Sequence, residues 1–187
     1  MKLQRKLSIE GGVFLAGFAA CMPLANYMIG HVGTFCVPSG PCVIPVGPGL
    51  TAPSGVLLVG IALVLRDLVH HRLGFKWALG AIVISTLFST IFAEPSLAAA
   101  SATAFLVSEI ADLLVFTPLQ KKGLVTAAFL SSVAGIVVDS ILFLWIAFGS
   151  LDFFVGQVVG KLIMVIMALP VLFWIRNSDR RLGVLSA

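Results

Sequence analysis

Six stretches of this chain stay apolar for longer than a strand can use, and short polar segments separate them. They cover residues 11–30, 54–73, 77–93, 96–119, 124–148 and 153–175. A helix needs about 20 apolar residues to cross the hydrocarbon core of a bilayer. The pattern therefore predicts an all-α integral membrane protein with six transmembrane helices, forming one domain over 1–187. Residues 31–53 break the rhythm. They hold five prolines (Pro38, Pro41, Pro45, Pro48, Pro53) and no acidic residue, lysine or arginine, which argues against one regular helix there. Glu94-Pro95 marks a tight turn between the third and fourth spans. The first run is span-length, with no small-residue cleavage site leading into a polar domain, so it is expected to remain as a helix.

Charge placement gives a second count of the spans. Lys2, Arg5 and Lys6 precede the first run, and Arg72 and Lys76 separate the second from the third. Lys121 and Lys122 separate the fourth from the fifth, and Arg176, Arg180 and Arg181 follow the sixth. The alternate connections carry only Glu94 and Asp152. Six spans place every basic segment on one side, with both termini cytoplasmic, whereas five or seven break the pattern.

Composition agrees. The chain is 59% hydrophobic and 11% charged, with a mean hydropathy of +1.12; a soluble domain carries about 25% charged residues. The net charge of +4 is explained by the basic span ends and does not point to nucleic acid. Small residues at helical spacing (Gly12, Ala16, Ala20; Gly156, Gly160) allow close helix packing or a docking face, which leaves a homo-oligomer open. Cys21 reads as a small core residue. Cys36 and Cys42 share the first external loop, where a disulfide is permitted but not required by the spacing.

The chemistry lies in five charges inside the spans: Asp67, Glu109, Asp112, Asp139 and Lys161. Each costs roughly 3 kcal/mol at membrane depth on insertion scales, so such residues are expected to face a protein-lined cavity. Asp139 on an outward-running helix and Lys161 on an inward-running one fall at similar depth, roughly 5 Å outside the midplane. Either they pair, or Asp139 serves a substrate or a proton. Glu109 and Asp112 are three apart on one helix face. Their joint ionisation in a low dielectric is costly, which leaves room for a proton-coupled step. Asp67 matches the depth of Asp112. Arg66 beside it is expected to snorkel to the cytoplasmic interface, and His70 and His71 to be interfacial. Asn26 and Gln157 add neutral donors and acceptors, and Ser131, Ser132 and Ser140 either join them or cap helix carbonyls. No residues at ligand spacing form a metal site, and no cofactor is implied.

Several motifs together resemble the vitamin uptake transporter family, also called queuosine precursor transporters. They are Pro53-Ser54-Gly55 through Leu65-Arg66-Asp67-Leu68 to Gly74, Ser108-Glu109-Ile110-Ala111-Asp112, Ser131-Ser132 through Val138-Asp139-Ser140 and Phe143, and Gly160-Lys161-Leu162 with Pro170. The resemblance implies six helices and import of a 7-deazaguanine, such as 7-cyano-7-deazaguanine or its aminomethyl relative, across the bacterial inner membrane. A guanine-like ring offers adjacent N–H donors to one carboxylate and a carbonyl to a donor. Glu109, Asp112 and Asp139 are then the recognition acids, and Lys161 a donor or counter-ion. Asn26, Gln157 and Asp67 are secondary candidates, and Phe105, Phe143 or Trp145 could stack on the ring.

Two other classes remain. A substrate-binding membrane subunit of an energy-coupling-factor vitamin transporter also has about six helices, but needs a separate ATPase; this chain has no GxxxxGK[ST] loop. An intramembrane enzyme is disfavoured, since neither H-E-x-x-H nor G-x-S-x-G occurs.

Overall fold

The structure, a computed structural model, describes residues 2–38, 40–92 and 95–183. Six helices appear where the apolar runs place them: α1 (Lys2–His31), α2 (Val56–Leu73), α3 (Phe75–Phe92), α4 (Pro95–Leu119), α5 (Leu124–Phe148) and α6 (Phe154–Leu182). The largest departures are at the chain ends. There α1 starts in the basic N-terminal segment and α6 continues past Ile175 through Arg176, Asp179 and Arg180. A helix satisfies its own backbone hydrogen bonds, so it need not stop where hydropathy falls. Of the expected Glu94-Pro95 turn, Glu94 lies outside the described residues and Pro95 begins α4.

Residues 31–53 hold a small antiparallel sheet where the sequence had excluded only a helix. Its strands are β1 (Phe35–Cys36), β2 (Cys42–Gly47) and β3 (Leu50–Pro53), in the order β1-β2-β3. Pro48 and Gly49 make the two-residue turn between β2 and β3. Gly49, at φ 67°, supplies the positive dihedral such a turn needs. Cys36 and Cys42 face each other in the register and are joined by a disulfide. The sheet packs on α6 and α1, at one end of the bundle.

The other end is where the basic segments meet. Arg72 at the end of α2 reaches Glu10 of α1 at 3.0 Å and Asp179 of α6 at 2.8 Å, and His71 reaches Asp179 at 2.8 Å. Lys121 and Lys122 lie in the adjoining α4–α5 turn, next to Gln120, whose amide is 3.5 Å from the His70 ring. These contacts place the α1 start, the α2–α3 and α4–α5 turns and the α6 end together, as the charge pattern requires.

Among the described residues, four helical segments are long and apolar enough to cross a membrane: Lys6–His31, Leu97–Leu119, Leu124–Phe148 and Phe154–Leu182. This is a multi-pass membrane protein. Helix α2 carries three charged residues, Arg66, Asp67 and Arg72; it touches all five other helices and takes the centre of the bundle. Its neighbours carry the outward apolar face, with Leu87, Ile91, Leu114, Trp145, Met167 and Trp174 exposed. Inside, Leu63 and Leu68 pack with Phe116, Val165 and Leu172, and Val69 with Phe18, Ile82 and Phe105.

Two glycines set how closely helices approach at the polar positions. A Cβ on Gly60 of α2 would lie 2.8 Å from the Lys161 carbonyl oxygen of α6. A Cβ on Gly135 of α5 would lie 2.9 Å from Leu63 and 3.1 Å from the Asp112 Cβ.

Candidate functional site

Beneath the sheet, a cleft opens between α1, α2, α4, α5 and α6. Its empty space is about 370 Å³ with the mouth included, and its enclosed part is narrow. Met22, Ala25, Asn26 and Ile29 of α1 form one side, and Val56 and Val59 of α2 continue it. Asp139 and Phe143 of α5 face Gln157 and Lys161 of α6, with Ser101 of α4 between. Four of the seven residues singled out in the sequence, Asn26, Asp139, Gln157 and Lys161, therefore share one hollow.

Lys161 organises this wall. The residue is 1% exposed, and its ammonium donates to Asp139 Oδ2 at 2.5 Å, Ser140 Oγ at 2.9 Å and Gln157 Oε1 at 2.5 Å. The Asp139–Lys161 pair forms as depth matching suggests. An ammonium has three N–H donors, and all three are used inside the wall, with Asp139 as the counter-ion. Helical spacing explains the geometry, since Gln157 is one turn before Lys161 on the same face.

The other three residues, Asp67, Glu109 and Asp112, gather around Arg66 nearer the middle of the bundle. Arg66 is fully buried, and each of its nitrogens meets a different carboxylate. Nη1 is 2.7 Å from Asp67 Oδ1, Nε is 3.1 Å from Glu109 Oε2, and Nη2 is 2.5 Å from Asp112 Oδ1. Phe116 lies under the guanidinium at 5.8 Å, and Ser131 Oγ donates to Asp67 Oδ2 at 3.1 Å.

This corrects the expectation for Arg66, which does not snorkel to the interface. It also shows adjacent residues Arg66 and Asp67 in contact, because the long guanidinium arm folds back to its neighbour. Only tertiary packing shows this, since snorkelling presumes lipid around α2 and α2 is instead enclosed by helices. The nearby histidines lie at the basic end of the bundle, His70 packed against Phe116 and His71 tied to Asp179.

Ser108 lies next to both clusters along α4. Ser108 Oγ lies 3.5 Å from Asp139 Oδ1 and 3.0 Å from the Phe105 carbonyl, and the next residue is Glu109. Of the serines left open, Ser131 and Ser140 contact charged side chains, and the Ala128 carbonyl, 3.2 Å from Ser131 Oγ, is an alternative acceptor for its single proton.

The aromatic candidates separate cleanly. Phe143 lines the cleft, Phe105 packs on Phe18 with ring centroids 5.8 Å apart, and Trp145 is 63% exposed on the outer surface. Sequence reasoning missed Arg66, Ser101 and Met22. The available signal for Arg66 was its place ten residues into a helix rather than at its end. Ser101 carries a signal in its spacing, seven residues before Ser108 and eleven before Asp112 on one side of α4; for Met22 the sequence carries no comparable signal.

Residues 86–175 match the family described as "Putative vitamin uptake transporter", the same family that the motifs resemble. The matched stretch takes in the later part of α3, all of α4 and α5, and α6 as far as Ile175. It includes Glu109, Asp112, Asp139, Gln157 and Lys161, whereas Asn26, Arg66 and Asp67 precede it. No curated protein and no solved structure matches the chain.

Proposed function

We propose that this chain is a bacterial inner-membrane importer of a queuosine precursor, 7-cyano-7-deazaguanine or 7-aminomethyl-7-deazaguanine, or a similar purine-like molecule. In this reading all six helices span the membrane, with the basic end and both termini in the cytoplasm. The sheet and the cleft mouth then face outward. The supporting observation is the convergence of Asp139, Lys161, Gln157, Asn26 and Phe143 on one cleft, in a bundle whose α4–α6 region is similar to an uptake family.

The chemistry of the wall suits such a ring. Asp139 keeps lone pairs beyond its bond to Lys161 and can accept from adjacent ring N–H groups. Amides at Gln157 and Asn26 can serve a ring carbonyl, and Phe143 offers an apolar face. The Arg66 cluster, with Glu109, Asp112 and Asp67, supports the cleft from beneath. Transport proceeds by alternating exposure of the buried site. The ties among Glu10, Arg72, His71 and Asp179 hold the end opposite the mouth and must part for release. The protein acts as a carrier, with no chemical change to its cargo.

Uptake of labelled 7-cyano-7-deazaguanine by proteoliposomes holding only this chain tests the reading. Saturable uptake, lost in Asp139→Asn, is the expected result. Binding without uptake, with uptake restored by an added ATPase module, would instead assign the chain as an energy-coupling-factor substrate subunit. Absence of both binding and uptake would remove the assignment.

A further inference from the structure

A glutamine amide presents an acceptor at one end and a donor at the other, and packing alone rarely distinguishes them. At Gln157 the neighbouring charge does. Lys161 only donates, so the amide oxygen must face it, and that oxygen lies 2.5 Å from the ammonium. The NH₂ end is thereby turned away from Lys161, on a residue that lines the cleft and is itself 2% exposed. The same ammonium holds Asp139 Oδ2 at 2.5 Å, which leaves the other carboxylate oxygen toward Ser108 and the hollow. Lys161 thus fixes two polarities at once, a donor from Gln157 and an acceptor from Asp139.

We infer that Lys161 is a positioning residue that sets the hydrogen-bond polarity of the cleft, so that it selects rings carrying a carbonyl beside N–H donors. The inference rests on the cleft being the substrate site proposed above. A guanine-type edge carries a carbonyl followed by N–H groups and complements this wall. An adenine-type edge of the same shape carries an amino group followed by a bare ring nitrogen, and so sets donor against donor and acceptor against acceptor. Lys161 touches neither ring, because Asp139, Ser140 and Gln157 use its three donors.

The test compares affinities of the full chain in nanodiscs for 7-deazaguanine and 7-deazaadenine. Mismatched buried hydrogen bonds leave polar groups unpaired at a cost, so the wild-type protein should prefer the guanine-type ring by roughly 10- to 100-fold. Lys161→Met frees the Gln157 amide to turn, and the preference should fall to within about threefold. Gln157→Glu still accepts from Lys161 but presents an acceptor where the NH₂ stood, and should remove or reverse the preference.

A purely structural role for Lys161 would weaken both rings together and leave their ratio intact. An unchanged ratio in either variant overturns the inference while the transporter reading stands. If Lys161→Met does not fold, Gln157→Glu decides alone. If neither ring binds the wild-type protein, both the inference and the substrate reading fall.

Discussion

Lys161 and Arg66 are both cations held inside the bundle with almost no exposed surface, yet their surroundings differ. Lys161 meets one carboxylate and two neutral acceptors, and it borders an open cleft. Arg66 meets three carboxylates, borders no described cleft, and sits on the helix that every other helix touches. The side chains suit these settings. A guanidinium is a planar fork able to meet several carboxylates at once, while an ammonium is a compact point donor that can orient nearby groups. The Arg66 cluster therefore reads as the fastener of α2 to α4, and the Lys161 cluster as the organiser of a binding wall. Burial of a charge alone would not have told them apart.

The sharpest way to break this contrast is Arg66→Ala. It leaves three buried carboxylates without a cation, and uncompensated buried charge is strongly destabilising. A loss of about 3–5 kcal/mol is expected, seen as absent monodisperse protein after detergent extraction. Arg66→Lys keeps the charge but not the fork and should be only partly better. If Arg66→Ala folds normally and loses only ligand binding, the two roles have been assigned the wrong way round.

Next comes the charge exchange at the cleft. Asp139→Lys and Lys161→Asp each place like charges together and should cost about 3 kcal/mol in thermal unfolding. The double variant should recover much of that stability without recovering binding. A double variant no more stable than either single would deny that the pair is an isolated couple.

Close approach gives the third test. Gly60→Ala meets the Lys161 carbonyl and Gly135→Ala meets Leu63 and Asp112, so each should cost about 1–3 kcal/mol. Gly60→Ala should also weaken ligand binding, since it displaces α6 at Lys161; Gly135→Ala should act on stability alone. Cys42→Ser opens the disulfide that ties β1 to β2. It should lower stability by about 2 kcal/mol and leave ligand preference unchanged. Smallest of all, Trp145→Ala on the exposed face should change stability by less than about 0.5 kcal/mol and leave affinity intact. A large loss of binding there would move the stacking role from Phe143 to Trp145.

Much of the fold was legible because the spans are long and uninterrupted. The α5 boundaries match their apolar run, and those of α3 and α4 depart from it by only one or two residues. The pairing of Asp139 with Lys161 was legible too, since depth along neighbouring antiparallel helices follows from a fixed rise per residue. The sheet was not, because its strands are short and interrupted by prolines. Their pairing also depends on a turn and a disulfide whose partners are set by folding. Arg66 was misread because hydropathy assumes a uniform lipid surround.

The sequence by itself determined six apolar helices, the gathering of positive charge at one end, and which polar residues had to be sheltered from lipid. Those properties depend on periodicity and on the cost of charge in hydrocarbon, both local along the chain. Only the tertiary structure decided that α2 is central and that Arg66 collects Asp67, Glu109 and Asp112. It alone showed that Asn26, Asp139, Gln157 and Lys161 line a common hollow. Those outcomes depend on how helices rotate and approach one another, which glycines, aromatic side chains and ion pairs settle jointly across residues far apart in sequence.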